Sequence, residues 1–356
     1  MQQFSRVCHL LSSLKVGGAE RFVIDLSTEQ QKMGHQVTII SFGSKKDELY
    51  NIAKKAGVHV IVLSKKWFNN NKLTLNELTS FDVIHLHSPV ILKAILVLLP
   101  FLHKQKIIYT RHGEGRYNNT IWSIVHWLAK PFMSAITFVS YDGKKVFQTD
   151  HGWSHIQQQV IENGICIENE CSSPNRTNSN KLRLGSVGRM VPLKGQHDLI
   201  TAWSKLPIEI QKNIEIHLIG DGESRAFLEK KVTDLGASSS IYFHGFVTDR
   251  DSISNLFDML VVNSESEGLS IAILEAMAKI KPVIATNVGG NPRLVINNKT
   301  GMLYEFGDVN CLTDLIVQYY ENKDLIIEHG VNAREYVKEN YSLTSTANKY
   351  DLLYKI

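Results

Sequence analysis

The sequence predicts an α/β protein made of two doubly wound parallel-sheet domains, and three observations carry that reading. At 356 residues the chain exceeds one ordinary core, and two domains of roughly 150 to 180 residues are expected. Short apolar runs suited to strands alternate with helical stretches through both halves. The runs end in glycine-bearing or polar loops before the next helix, which places the functional loops on one edge of each sheet.

In order, Phe4 to Leu11 reads as a strand, followed by the turn Ser12 to Arg21 and a helix to Met33. Gly34 stops that helix, and Gln36 to Phe42 is the next strand. Paired glycines at Gly17-Gly18 let a ligand approach the backbone at the helix start, as phosphate-binding turns do, although a plain tight turn would look the same. The pattern is not G-x-G-x-x-G, so a dinucleotide fingerprint is not supported. Val58 to Leu63, Val83 to His87, Lys106 to Thr110 and Ala135 to Ser140 continue the strands, and another runs through Val160 to the Asn163-Gly164 turn. His85, His87 and His112 fall at or just beyond strand ends. His85 and His87 are expected to be structural; His112 follows its strand directly, with Arg111, Gly113 and Arg116 close by.

A polar stretch without periodicity, Cys171 to Asn180, marks the linker, so the domains are expected at 1–168 and 181–340 around a linker at 169–180. The alternation restarts with strands Leu182 to Val187, Ile214 to Ile219, Ile241 to Phe243, Met259 to Val262 and Pro282 to Ala285. The last forty residues read as helical with a break near Tyr341-Ser342, and the terminal helix of about 341–356 is expected to pack back on the first domain. Facing sheet edges would leave a cleft between the domains.

Composition excludes several classes. Apolar content of 43% with 21% charged residues is that of a globular protein, not a disordered one. Cys8, Cys166, Cys171 and Cys311 show no zinc spacing or disulfide framework, so a reducing cytoplasm is expected. The first residues lack a signal-peptide layout, and the longest apolar run, Val90 to Leu102, is too short to span a bilayer and reads as a core helix. Residues 1–165 hold 19 Lys/Arg against 11 Asp/Glu, a net of +8, while the remainder holds 20 against 24, a net of −4. A basic first half fits contact with anions such as membrane lipid or a phosphorylated substrate, and solvated surface charge is the plain alternative. Lys65-Lys66-Trp67-Phe68 and Ile121 to Leu128 could anchor at a membrane interface or serve as loop and core helix. Aromatic stacking motifs for nucleic acid are missing.

The densest chemistry lies between Glu267 and Ala278. Leu269 to Ala278 reads as an all-round apolar helix, and such a helix should be buried on all sides. Glu275 inside it needs a donor, because an unpaired carboxylate there is costly. Free N–H groups at Gly268, Leu269 and Ser270 offer an anion seat at the helix start. Arg189 and Lys194 lie five apart on one loop, a planar fork and a point charge suited to a diphosphate. Glu267 and Glu275 supply acceptors for hydroxyls. Asp249-Arg250-Asp251 spells Asp-x-Asp, but N-capping of the next helix explains it better than a metal.

Glu267-x7-Glu275, within Ser-Glu-Gly-Leu-Ser-Ile-Ala-Ile-Leu-Glu-Ala-Met-Ala, resembles the E-x7-E signature of retaining glycosyltransferases of family 4, which have the GT-B fold. Gly17-Gly18-Ala19-Glu20, Thr110-Arg111-His112-Gly113, Asn163-Gly164-Ile165, Gly188-Arg189 with Lys194-Gly195, Gly220-Asp221-Gly222 and Val288-Gly289-Gly290 extend the likeness over nearly the whole chain. The resemblance implies a nucleoside-diphosphate sugar, expected to be a UDP-sugar, held mainly by the second domain. Arg189 and Lys194 would hold the diphosphate, Glu275 the ribose, and the backbone of Gly245 to Val247 the base. Glu267 and the backbone of Gly268, Leu269 and Ser270 would meet the donor sugar. Gly17 and Gly18 would close over the phosphates, and His112 would face the anomeric carbon, so His112 and Glu267 are the catalytic candidates. No metal or other cofactor is implied. Pro292-Arg293 stands where many members carry Pro-Glu, which departs from the family pattern at a donor contact.

The implied activity is transfer of a sugar, with retention, to a hydroxyl of a saccharide acceptor. That acceptor is expected to be lipid-linked, in cell-surface polysaccharide or lipopolysaccharide assembly. The expected location is cytoplasmic, with peripheral contact to an anionic inner-membrane face. A nucleotide-sugar 2-epimerase of similar architecture is the alternative. A catalytically silent binding subunit is a third reading, set against the presence of His112, Arg189, Lys194, Glu267 and Glu275.

Overall fold

The computed structural model describes residues 5–63, 71–113, 119–151, 153, 155–167 and 181–355. The expected linker at 169–180, Lys65 to Phe68 and Arg116 lie outside the described residues. The chain forms two compact units: Met1–Cys166 together with Leu343–Ile356, and Ile167–Ser342.

The first unit contains β1 (Arg6–Leu11), β2 (Gln36–Ser41), β3 (His59–Val62), β4 (Val83–Leu86), β5 (Lys106–Arg111), β6 (Ala135–Phe138) and β7 (Gln157–Val160). They pair in the order β3-β2-β1-β4-β5-β6-β7, all parallel. β4 and β6 are buried at every position, as strands covered on both faces must be. The apolar content of these runs is therefore continuous rather than alternating. The helix Gly18–Lys32 starts from extended backbone at Gly17, carries Glu20 in its first turn and is followed by Gly34 at φ 98°.

The final helix, Leu343–Lys355, packs on Gly18–Lys32, with Tyr350 and Tyr354 buried. Polar links near its two ends help to fasten it. His35 Nε2 lies 3.0 Å from Asp351 Oδ1, and Thr344 Oγ1 donates to Glu29 Oε1 at 2.5 Å.

The second unit contains β8 (Leu182–Val187), β9 (Ile214–Ile219), β10 (Ile241–Gly245), β11 (Met259–Val262), β12 (Val283–Thr286) and β13 (Gly301–Tyr304). Their order is β10-β9-β8-β11-β12-β13, again all parallel. β1 and β8 thus occupy matching places. In each sheet the next strand in sequence lies on one side and a later strand on the other, and the loops beyond such a pair open a crevice.

Four expectations need correction. β7 lies at Gln157–Val160, so the strand ends where the sequence suggested it would begin its run to Asn163. β13 was not foreseen, because Gly301-Met302-Leu303-Tyr304 is short and follows a polar turn, and only pairing with β12 makes it a strand. The helix after Glu267 starts at Ile271 rather than Leu269, and Ile271, Ala272 and Glu275 are half-buried, so burial is not all-round. Val90 to Leu102 splits into the helix Pro89–Ile95 and the 3-10 turn Leu96–Phe101. That segment buries Ile91, Leu92, Ile95 and Leu99 but leaves Val90, Val97 and Phe101 exposed.

Candidate functional site

In the second unit, adjacent strands bring two loops together. The loop after β8 carries Arg189 and Lys194, and the loop after β11 carries Glu267. Lys194 Nζ lies 2.5 Å from Glu267 Oε1, and Ser264 Oγ donates to the same oxygen at 2.7 Å. Gly195 lets the loops approach: it sits at φ 59°, and a Cβ there would strike the Asn263 carbonyl. The Glu265 N–H then donates to the Leu193 carbonyl at 2.9 Å. On the other side of β8, the Met190 N–H donates to the Asp221 carbonyl at 2.9 Å, bracing the Arg189 loop against Gly220-Asp221-Gly222.

Arg189 is exposed and has no ion pair among the described residues, while its carbonyl accepts from Gln196 Nε2 at 3.1 Å. Lys194 and Arg189 therefore differ: one cation is already held by a carboxylate, the other is open to solvent. Beyond Glu267, the N–H groups of Gly268, Leu269 and Ser270 donate to no group among the described residues, and the Ser270 side chain makes no capping bond. This is the arrangement in which a helix start receives an anion.

Glu275 has the donor that its position demands, and that donor is Arg250, with Nε 2.6 Å from Oε1. Arg250 begins the helix Arg250–Asn255, directly after the loop holding Gly245 and Val247. Asp249 caps this helix, accepting from the Ser252 N–H at 2.7 Å, so the Asp-x-Asp sequence does serve a helix start. Gly245 adopts φ 64° at the end of β10, and its carbonyl accepts from the Gly220 N–H at 2.8 Å. Both acids are thus ion-paired within the unit, a feature spacing alone did not reveal. A ligand hydroxyl at either must share or displace a cation.

In the first unit, Gly17 and Gly18 lie at the start of the helix after β1, and His112 lies directly after β5. His112 Nε2 is 2.9 Å from His87 Nδ1, whereas the enclosed His112 Nδ1 has no partner among the described residues. Burial, with His9 nearby, lowers the His112 pKa to about 4, so the ring is neutral near pH 7. His85 and His87 are fully enclosed, as expected of structural histidines, and burial drives both pKa values well down.

Sequence reasoning missed Arg250, Ser264 and the side chains behind His112. Arg250 carried a usable signal: it is the one cation between the Gly245 loop and a helix that must supply Glu275's donor. The side chains behind His112 are distributed over separate strands and helices, where spacing gives no sign of them.

Comparison with known proteins supplies the wider setting. The family model for glycosyl transferases group 1 matches residues 168–340, and that for glycosyltransferase family 4 matches residues 16–169. A poly(ribitol-phosphate) alpha-N-acetylglucosaminyltransferase of Staphylococcus aureus is 29% identical over 54% of this chain and 38% of its own length. A lipopolysaccharide core biosynthesis glycosyltransferase of Rhizobium meliloti is 30% identical over 46% of this chain and 47% of its own. The matched region thus spans half or less of these curated relatives. Among solved structures, Anabaena HepE in complex with UDP-glucose aligns with a TM-score of 0.87 at 22% identity, covering 99% of this chain and all of that one. That likeness shows the fold, two parallel α/β sheets of GT-B type.

Proposed function

The chain belongs to the group 1, family 4 glycosyltransferases, and from that membership we propose that it moves a sugar from a UDP-sugar to a hydroxyl of a saccharide acceptor with retention of configuration. The observation that carries this reading is the meeting of Lys194 with Glu267 at the β8–β11 crevice, beside the open N–H groups of Gly268 to Ser270. A dianionic diphosphate arriving there draws Lys194 from Glu267 and meets Arg189 without having to break an ion pair. Glu267, partly released, is then an acceptor for the donor-sugar hydroxyls. Glu275, shared with Arg250, is assigned the ribose, and the Gly245 and Val247 backbone the base. The first unit's share is the Gly17-Gly18 turn and His112.

As the bond from the anomeric carbon to the diphosphate breaks, negative charge grows on the leaving oxygen. Preoriented cations and N–H groups stabilise that charge more than they stabilise the ground state. The acceptor hydroxyl attacks from the same face, and the departing phosphate takes its proton. The same reading expects no metal, since the two cations and the helix start supply the positive charge.

The UDP complex of the structural neighbour and the polymer and lipopolysaccharide acceptors named for the relatives favour a UDP donor and a surface glycan acceptor. A lipid-linked acceptor is favoured by the first unit's surface. Of the two readings of Ile121 to Leu128, interface and core, exposure favours the first: the helix Thr120–Ala129 leaves Trp127 72% and Ile121 58% exposed. Phe101 on the neighbouring 3-10 turn is 61% exposed. An apolar, aromatic surface on the basic half suits an anionic lipid interface. No helix among the described residues is long and apolar enough to cross a membrane.

The test is a panel of nucleotide sugars assayed by thermal shift, followed by NMR of the product formed with a saccharide acceptor. A donor hit with an axial-to-axial product supports the reading, and an inverted anomer overturns retention. Conversion of the UDP-sugar in the absence of acceptor would establish the epimerase instead. Flotation with anionic vesicles checks the lipid interface, and absence of binding removes it.

A further inference from the structure

A continuous run of hydrogen bonds, buried except for its last step, ends on His112. His112 Nε2 lies 2.9 Å from His87 Nδ1, His87 Nε2 2.8 Å from His9 Nδ1, and His9 Nε2 2.8 Å from Gln30 Oε1. Gln30 Nε2 donates to the Tyr354 hydroxyl at 3.1 Å. That hydroxyl is 2.8 Å from His85 Nδ1, and His85 Nε2 is 2.6 Å from Thr110 Oγ1. The run joins β1, β4, β5, the helix Gly18–Lys32 and the final helix, with His9 and His85 in register on neighbouring strands.

With the Gln30 amide oriented as it is in the structure, the hydrogens along the run follow. A carboxamide oxygen only accepts, so His9 Nε2 carries its hydrogen. A neutral imidazole carries one, so His9 Nδ1 accepts from His87 Nε2–H, and His87 Nδ1 accepts from His112 Nε2–H. Burial keeps the rings neutral, with His9 and His112 lowered to about 4 and His87 well below its usual value. His112 Nδ1 is left with a lone pair that has no partner among the described residues. Turning the Gln30 amide over would reverse every bond and put a hydrogen on that atom. In the orientation seen, the amide gives its N–H to the Tyr354 hydroxyl, far from His112 in sequence.

We propose that Gln30, His9 and His87, steered by Tyr354, are positioning residues that fix His112 as the Nε2–H tautomer and present its Nδ1 as a neutral acceptor for a substrate hydroxyl. The functional half of this inference rests on the assignment of His112 to the sugar; the tautomer itself does not. His9, His85 and His87 also bring possible ligand nitrogens within 4.8 Å of one another, which could suit a metal ion. In the tautomers above, the lone pairs of His9 Nδ1 and His87 Nδ1 are already used as acceptors. The run therefore reads as a hydrogen-bond relay of fixed direction. It passes through the Gln30 amide, which does not pass protons on, so it sets orientation rather than conducting charge.

Two-bond proton–nitrogen NMR of the 15N-histidine-labelled full chain at pH 7.5 tests this directly, with His112 assigned by His112→Gln. The expected spectrum shows His112 protonated on Nε2. Tyr354→Phe keeps the ring but removes the hydroxyl, and Gln30→Met keeps volume but removes the amide. In both, His112 is expected to populate both tautomers, with turnover down about 5-fold, the scale of one lost hydrogen bond, and the donor KM little changed. Two variants at different depths guard against one that fails to fold. A wild-type His112 protonated on Nδ1, unchanged tautomer and turnover in both variants, or one zinc per chain in the purified protein would each overturn the proposal. Full turnover in His112→Gln with the expected wild-type tautomer would instead remove His112 from the sugar and leave the relay standing.

Discussion

The two sheets share one strand order up to β7, the extra edge strand of the first, yet the edges where their strands end use opposite electrostatics. The β8–β11 edge is built from full charges in half-exposed pairs, Lys194 with Glu267 and Arg250 with Glu275. The β1–β4–β5 edge is built from uncharged rings, His9, His85, His87 and His112, joined by hydrogen bonds. Charge remains affordable at the first edge because solvent and partner ions reach it, whereas burial of His9, His85 and His87, with His112 half-buried beside them, disfavours charge at the second. An edge of paired charges can exchange partners with an ionic ligand. A neutral edge instead holds direction, since each ring must choose one donor and one acceptor.

The predictions that break or sharpen this contrast run from large to small. Lys194→Ala should weaken UDP binding about 30-fold, within the range for one charge-assisted hydrogen bond to phosphate. Calorimetry checks it, and unchanged affinity would remove the diphosphate assignment.

Acid should destabilise the neutral edge. His9 and His112 fall from 6.5 unfolded to about 4 folded, so the unfolded chain binds more protons between those values. Stability is then full above about 6.5 and declines as pH falls toward about 4. Melting curves across that window should show the loss, and His9→Gln should flatten it.

Glu275→Ala, which leaves Arg250 without its carboxylate, should cost about 1–2 kcal/mol in urea unfolding and also weaken donor binding. Asp249→Ala should cost about 1 kcal/mol, the value of an N-cap, with donor affinity nearly intact. A large affinity loss there would reopen Asp249 as a ligand. Trp127→Ser, on the exposed helix face, should leave the melting temperature within about 1 °C, since a surface change is worth only some tenths of a kcal/mol, while reducing vesicle flotation.

Much of this was legible in the sequence because it depends on local pattern. Eleven of the strands follow the expected runs closely, since fully covered parallel strands are continuous apolar segments. β13 escaped because four residues carry too little pattern, and β12 supplies the reason it is extended. The start of the Ile271 helix was misplaced by two residues because Leu269 and Ser270 look helical but are held in the loop. Core and interface both stay open for Trp127 and Ile121 in the sequence, because amphipathic spacing says that a face is apolar without saying what covers it. At the candidate site, Arg189, Lys194, Glu267 and Glu275 were readable from residue type and loop position. Their partners were not.

The sequence by itself determined the alternation of strands and helices, the glycine and polar loops that end the strands, and the residue types set on those loops. Each is a property of a few neighbouring residues and their backbone preferences. Only the tertiary structure decided that Lys194 faces Glu267, that Arg250 answers Glu275, and that Tyr354 reaches Gln30 across more than three hundred residues of chain. Those pairings depend on sheet order and on the return of the final helix. A hydrogen bond or ion pair is fixed by proximity in space, which local sequence does not encode. The direction of a hydrogen bond is more remote still, because it is settled by the whole run of donors and acceptors at once.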